Sequence, residues 1–85
     1  MVTSRRFGSA FFVAYPQDHT PRHVHGFIAN AEVIVDLRHD GTVSLANRRD
    51  AVRPANAKRS DIRRIVKAAA DHFDELVELW ERMHA

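Results

Sequence analysis

The sequence predicts an α+β fold in which a small antiparallel sheet of three or four strands packs against one long C-terminal helix. Apolar residues alternate with polar ones between residues 23 and 37, which is the spacing of half-buried strands. After residue 60 they recur at every third or fourth position, which is the spacing of an amphipathic helix. The 85 residues contain no internal repeat and no low-complexity segment, so we expect a single domain over 1–85.

The strands are expected in the first half of the chain. A short apolar and aromatic run is stopped by Pro16, which favours a first strand before it. The two alternating segments that follow flank Ala29-Asn30 and predict a β-hairpin. Asp40-Gly41 is a turn dipeptide and predicts a short last strand after it. We expect strands at residues 11–15, 23–28, 31–37 and 42–45.

The two-residue loop of the hairpin predicts its register, because a slip of one residue would move every apolar side chain to the wrong face. Pairing Ile28 with Ala31 places the apolar positions on the core face. The opposite face then carries His23 and His25, with Asp36 directly across from His23. The two histidines should therefore point to the same side of the sheet, whether or not a metal is bound.

The second half of the chain predicts a loop followed by the helix. Residues 46–59 are polar and basic and contain Pro54, which favours a loop. Ser60 is a suitable N-cap for a helix that runs to the C-terminal end of the chain. We expect one core to be shared by Val24, Ile28, Val33, Val35, Ile65, Ala69, Phe73, Leu76 and Trp80.

Three of the six histidines and one aspartate lie within the eight residues 18–25. Two imidazoles on one face of a strand can bind a divalent transition metal such as zinc, and a nearby histidine or carboxylate can supply a third ligand. The predicted metal ligands are His19, His23, His25 and Asp36. The alternative is that these histidines are merely solvated, or that the pair formed by His23 and Asp36 ties the hairpin together.

The same residues also suit acid–base chemistry. Histidine exchanges protons near neutral pH, Asp36 can orient His23, and Arg22 or Arg38 can hold a phosphate. Cleavage of a phosphodiester is the reaction that fits this set, although the sequence alone defines no pocket.

Charge is distributed unevenly along the chain. Residues 48–67 contain eight basic and two acidic side chains, whereas residues 68–85 contain one basic and five acidic ones. Such a block can attract an acidic protein surface or nucleic acid, and it can equally be a solvated surface. No aromatic residue lies between 48 and 67, so a base-stacking platform is not expected there. The predicted partner-binding residues are Arg48, Arg49, Arg53, Arg63, Arg64 and Lys67.

Composition excludes several other classes of protein. The chain has no cysteine, and therefore no disulfide framework and no thiolate metal site. Its three glycines form no phosphate-binding loop. Because no secretory signal pattern and no membrane-spanning run is present, we expect a soluble cytoplasmic protein.

Several segments together resemble a small bacterial domain of unknown function, DUF4160. They are Arg6-Phe7, the histidine run 18–25, the strand 31–36 and the helical string 72–80. Arg22 stands where the family usually has a second proline. The resemblance implies an arrangement similar to toxin–antitoxin pairs, since such proteins are often encoded beside another small domain of unknown function. It brings no agreed catalytic residues.

Two functional hypotheses follow from these observations. The first is a small cytoplasmic protein-interaction module that binds a small partner protein in a toxin–antitoxin-like pair, with a homodimer as a secondary expectation. The alternative is a metal-dependent or histidine-dependent ribonuclease toxin acting through the face formed by His23, His25 and Asp36. A concave site around these residues favours the enzyme, whereas a flat face favours the interaction module.

Overall fold

The computed structural model describes residues 3–84, which form six strands and two helices. The strands are β1 (Thr3–Phe7), β2 (Ala10–Ala14), β3 (His23–Ile28), β4 (Ala31–Leu37), β5 (Val43–Leu45) and β6 (Val52–Arg53), and the helices are α1 (Arg59–Asp71) and α2 (Phe73–His84). In the single antiparallel sheet, β1, β2, β3 and β4 are neighbours in that order, and β5 and β6 both pair with β4. The prediction of an α+β fold is confirmed.

The central hairpin has the register that the sequence predicts. Ile28 pairs with Ala31, and His23 pairs with Asp36. Ala29 adopts a left-handed backbone conformation with a φ of 51°, as a two-residue hairpin loop requires. The loop of even length keeps the apolar residues of both strands on one face.

The sheet has six strands, whereas three or four were expected. β1 was missed because its sequence, Thr-Ser-Arg-Arg-Phe, shows no apolar alternation. It is an edge strand that turns back through Gly8, whose φ is +60°, to pair with β2. Its exposed arginines protect the sheet edge against pairing with another chain.

The segment predicted as a loop over 46–59 contains the sixth strand. The amide of Ala46 donates a hydrogen bond to the carbonyl oxygen of Ile34 (2.9 Å). The amide of Ile34 in turn donates one to the carbonyl oxygen of Ala51 (2.7 Å). β5 and β6 therefore continue one another along β4, interrupted by an excursion that we call the 47–50 loop. Ala46 and Ala51 bury Ile34 in a small second apolar cluster.

The prediction of one long C-terminal helix was wrong, because the helix breaks at His72. This residue has φ −119° and ψ 33°, and its ring stacks on Phe7 with the centroids 3.8 Å apart. The break allows α1 to pack on β3 and β4 while α2 reaches β1 and β2. The apolar spacing continues without interruption through the break, and neither glycine nor proline marks it. None of the helices within residues 3–84 is long and apolar enough to cross a membrane.

The first helix also begins two residues earlier than expected. Its N-cap is Lys58 rather than Ser60, and within the described chain no side chain caps the helix with a hydrogen bond. Lys58 instead supplies its backbone carbonyl oxygen to the amides of Asp61 and Ile62. The prediction of Ser60 as the cap was therefore wrong, because the backbone already turns at Lys58.

The main core lies between the sheet and the helices. Every predicted core residue is buried except Phe73, which is partly buried against the others. Gly26 allows the closest contact between the layers, since a Cβ atom at this position would lie 2.5 Å from Cγ2 of Ile65. His23 and His25 occupy the alternate positions of β3, and they are therefore available to a site outside this core.

Candidate functional site

Two buried histidines on β3 form the centre of the candidate site. Among residues 3–84, His23 and His25 are the only buried polar or charged residues, with 6% and 8% of their surfaces exposed. Their ring centroids lie 5.4 Å apart, so both rings are on the same side of the hairpin, as strand alternation predicts. Burial of two imidazoles requires that their nitrogen atoms find partners.

Each ring is held through its Nδ1 atom. Nδ1 of His23 lies 3.0 Å from the carbonyl oxygen of Pro21, and Nδ1 of His25 lies 3.1 Å from the carboxylate of Glu32. Both partners accept hydrogen bonds, so the ring hydrogen is assigned to Nδ1 in each histidine. The Nε2 atoms are therefore the nitrogens left for other chemistry.

Both Nε2 atoms face the carboxylate of Asp18. Oδ2 of Asp18 lies 3.5 Å from Nε2 of His23 and 3.3 Å from Nε2 of His25. Nε2 of His23 is buried, and within residues 3–84 it has no hydrogen-bond partner. Asp18, His23 and His25 thus bring three potential ligand atoms within 4.8 Å of one another. We call these three residues the histidine–aspartate cluster.

Contacts from both ends of the chain hold Asp18 in place. Oδ2 of Asp18 accepts a hydrogen bond from the amide of Tyr15 (3.2 Å), which closes the turn after β2. The carbonyl oxygen of Asp18 accepts a hydrogen bond from Nε2 of His84 (2.8 Å). The ring of His84 stacks on Trp80 at 3.6 Å, and Trp80 in turn lies 5.4 Å from His23. The last turn of α2 therefore closes one side of the cluster.

The other predicted ligands lie beside the cluster. His19 is exposed on the loop before β3, and Asp36 is half-buried opposite His23. Both residues line a cleft of about 550 Å³ that Asp18 and His23 also line. Residues 46–48 also line this cleft, and Arg48, which is exposed, lies at its rim. The cleft is lined by His23 and Asp36 of the predicted site but not by His25, so this face is concave on the side of His23.

Sequence reasoning did not assign roles to four of the residues that form the site. Asp18 was noticed in the histidine run but was not predicted as a ligand, and no role was proposed for Glu32. Trp80 was expected solely in the core, and no role was proposed for His84. The alternation of β4 places Glu32 on the histidine face, so this residue was the one that the sequence could have revealed.

Most of the sequence matches a known family model. The model is that of a domain of unknown function, DUF4160, and the match covers residues 9–81. This chain belongs to the DUF4160 family. The matched segment contains the complete histidine–aspartate cluster, but it does not include β1 or His84. Neither a curated protein nor a solved structure matches the chain significantly.

The six predicted partner-binding residues of this DUF4160 domain are all exposed, but they lie in two places. Arg48, Arg49 and Arg53 belong to the 47–50 loop and β6, and the other three belong to α1. Arg48 donates hydrogen bonds of 2.6 and 3.1 Å to the carboxylate of Asp50, and these bonds hold the pKa of Asp50 below its usual range. The charge of Arg48 is thus partly compensated by Asp50 within the domain.

The basic residues of α1 border an apolar groove between this helix and β5. The floor is formed by Leu45, Ile62, Val66 and Ala70. Leu45 is 45% exposed and is the only large hydrophobic residue classed as exposed in the described part of the chain. Along the groove lie Arg63, Arg64 and Lys67. The DUF4160 domain therefore presents two distinct surfaces, the histidine-lined cleft and this α1 groove.

Proposed function

We propose that the protein is a small cytoplasmic interaction module of a toxin–antitoxin-like pair, and that its partner docks in the α1 groove. The observation that supports this function is the combination of an apolar floor with a basic rim. Exposed apolar surface that is bordered by charges is typical of protein-binding sites.

The partner segment is an acidic amphipathic helix. The apolar residues Ile62, Val66 and Ala70 are spaced by four, so they form a stripe about 12 Å long on α1 at 1.5 Å per residue. A partner helix lying along this stripe would bury its own apolar face against it. Its carboxylates would then meet the basic rim.

The ion pairs within the domain do not prevent this docking. Lys67 contacts Asp71 at 2.7 Å, and Arg64 contacts Asp61 at 3.6 Å. Exposed pairs of this kind stabilise a protein by only about 0–1 kcal/mol, so carboxylates of a partner can replace them. Arg63 makes no ion pair within residues 3–84, so a carboxylate of the partner can contact it without replacing an existing pair.

The test is a comparison of captured proteins from the native host. Tagged wild type should retain one small acidic protein, whereas Leu45→Asp and Arg63→Glu should lose it. Arg82→Glu is the matched control, because it makes the same charge change on the exposed surface of α2. Recovery of chaperones alone at low and moderate salt, or equal capture by all four proteins, would contradict the proposal. A wild-type homodimer that Leu45→Asp dissociates would instead identify a second copy as the occupant.

The cleft favours a second candidate function, the histidine-dependent or metal-dependent ribonuclease toxin. His23, Asp36 and Arg48 line a concave site of a size that admits a nucleotide phosphate, which is the feature expected for the enzyme. Strong expression of wild type should then arrest growth, and His23→Ala or His25→Ala should relieve the arrest in a protein that still folds. Normal growth with abundant soluble wild type would exclude this function.

A further inference from the structure

We propose that the histidine–aspartate cluster is a binding site for one zinc-like divalent transition metal ion, held by Nε2 of His23, Nε2 of His25 and the carboxylate of Asp18. This site consists of residues outside the α1 groove, so the proposal stands independently of the function proposed for that groove.

The electrostatics of the cluster call for a positive charge at its centre. Because Nδ1 carries the hydrogen in each ring, Nε2 of a neutral imidazole presents a lone pair. Two lone pairs then converge on a carboxylate, and the three side chains are only 8%, 11% and 13% exposed. A proton on Nε2 of one ring would satisfy only the contact between that ring and Asp18, whereas a single cation can bind all three side chains.

The two distances from the Asp18 carboxylate match a tetrahedral site. Ligands held at about 2.0–2.1 Å around zinc stand about 3.3 Å apart from one another. The Asp18 carboxylate lies 3.3 Å from His25 and 3.5 Å from His23, measured to the Nε2 atoms. The carboxylate therefore already lies at the spacing of a zinc ligand from each histidine, and all three ligand atoms lie within 4.8 Å of one another.

The surroundings of the two histidines also match those of metal ligands. A histidine that binds metal commonly donates its other ring hydrogen to a backbone carbonyl or a carboxylate, which fixes the ring and makes the free nitrogen more basic. Pro21 supplies the carbonyl oxygen for His23, and Glu32 supplies the carboxylate for His25. These two contacts fix the orientation of both rings.

The ligand set selects the kind of metal. Two imidazoles and one carboxylate suit zinc, iron, cobalt and nickel far better than magnesium or calcium, which prefer oxygen ligands. Asp18 and His23 line the cleft, so a fourth ligand reaches the metal from that side. Three protein ligands with an accessible fourth position are typical of zinc sites that bind or activate a water molecule.

The experiment is a calorimetric titration of the chelator-treated full chain with zinc at neutral pH. We expect one ion per chain, a melting temperature that rises with zinc concentration, and no comparable binding of magnesium. Cobalt should give the visible absorption of a four-coordinate ion. Absence of heat and of a melting shift with zinc, cobalt and nickel would overturn the proposal.

Variants of Asp18 and His25 test the assignment of these two ligands. Asp18→Asn and His25→Ala should each weaken zinc binding more than 100-fold, whereas His39→Ala, which removes an exposed histidine elsewhere, should leave it unchanged. Asp18→Asn retains an oxygen that can accept the Tyr15 hydrogen bond, so it separates loss of metal from loss of fold. Wild-type affinity in this folded variant, or an equal loss in His39→Ala, would refute the site.

Glu32 is expected to act as a positioning residue. Glu32→Ala should lower zinc affinity about 10–100-fold at unchanged stoichiometry, and Glu32→Gln should restore most of it because the amide oxygen still accepts the hydrogen of Nδ1. Equal affinity of Glu32→Ala and wild type would show that this contact does not orient a ligand.

Discussion

Substitution of Gly26 by alanine should destabilise the protein even though it adds a single methyl group. The new Cβ atom would lie 2.5 Å from Cγ2 of Ile65 and 2.7 Å from Cε1 of Phe12, and both of these side chains are completely buried. Carbon atoms in contact prefer a separation of about 3.5–4.0 Å, so strand and helix must separate by roughly 1 Å. Overpacking of this kind costs about 1–3 kcal/mol.

A smaller gain partly offsets this cost. Alanine is favoured over glycine in a strand by about 0.5–1 kcal/mol, because it loses less backbone entropy on folding. The net free energy of unfolding should therefore fall by about 1–2 kcal/mol. Urea denaturation followed by circular dichroism should show a lower midpoint with an unchanged slope.

A double-mutant cycle identifies the contact that is responsible. Ile65→Ala alone should cost about 2–5 kcal/mol, because it leaves a cavity at a fully buried site. In the Gly26→Ala background this cost should be lower by about 1 kcal/mol or more, since the added methyl occupies part of that cavity. Wild-type stability of Gly26→Ala, or strict additivity in the cycle, would refute the close approach of α1 to β3.

Three further outcomes are expected. Leu76→Ala, at a completely buried position of α2, should lower the free energy of unfolding by about 2–4 kcal/mol in urea denaturation, and a smaller change than 1 kcal/mol would contradict its place in the core. His84→Ala should speed hydrogen exchange at the amide of Asp18, because it removes the 2.8 Å hydrogen bond that α2 makes to this turn, and unchanged exchange would show that the turn does not need the helix. Arg48→Ala should raise the pKa of Asp50 in an NMR titration, since the lowered pKa rests first on the hydrogen bonds from Arg48. Because the pKa of Asp50 is lowered in the folded state, the pair stabilises the fold above the usual pKa of aspartate and ceases to do so as the pH falls through the lowered pKa. An Asp50 pKa that is the same in both proteins would exclude the pair in solution.

The hairpin was predictable because its information is local. A loop of two residues between alternating strands leaves one register that keeps Val24 and Val35 in the core, and this register puts His23 opposite Asp36. The identity of the core followed from the same alternation and from the helical spacing.

The features that were missed depend on contacts between distant segments. Asp18 reaches the histidines because Tyr15 and His84 hold its turn, and His84 lies 66 residues away along the chain. The break in the helix at His72 coincides with a ring stacked on Phe7 of an edge strand that was itself not predicted. Neither the position of Asp18 nor the break at His72 has a local sequence signal. For the break, the apolar spacing alone therefore favoured one continuous helix.

The 47–50 loop has a consequence for how the cleft can diverge among related proteins. The residues at its two ends, Ala46 and Ala51, are hydrogen-bonded to the carbonyl and the amide group of a single residue, Ile34. The pairing of β5 and β6 with β4 therefore does not depend on the residues of the loop. The loop can therefore lengthen, shorten or exchange its charges while the strands keep their register. Because this same loop places Arg48 at the rim, natural selection or a protein engineer can change what enters the cleft without changing the fold that holds the histidines.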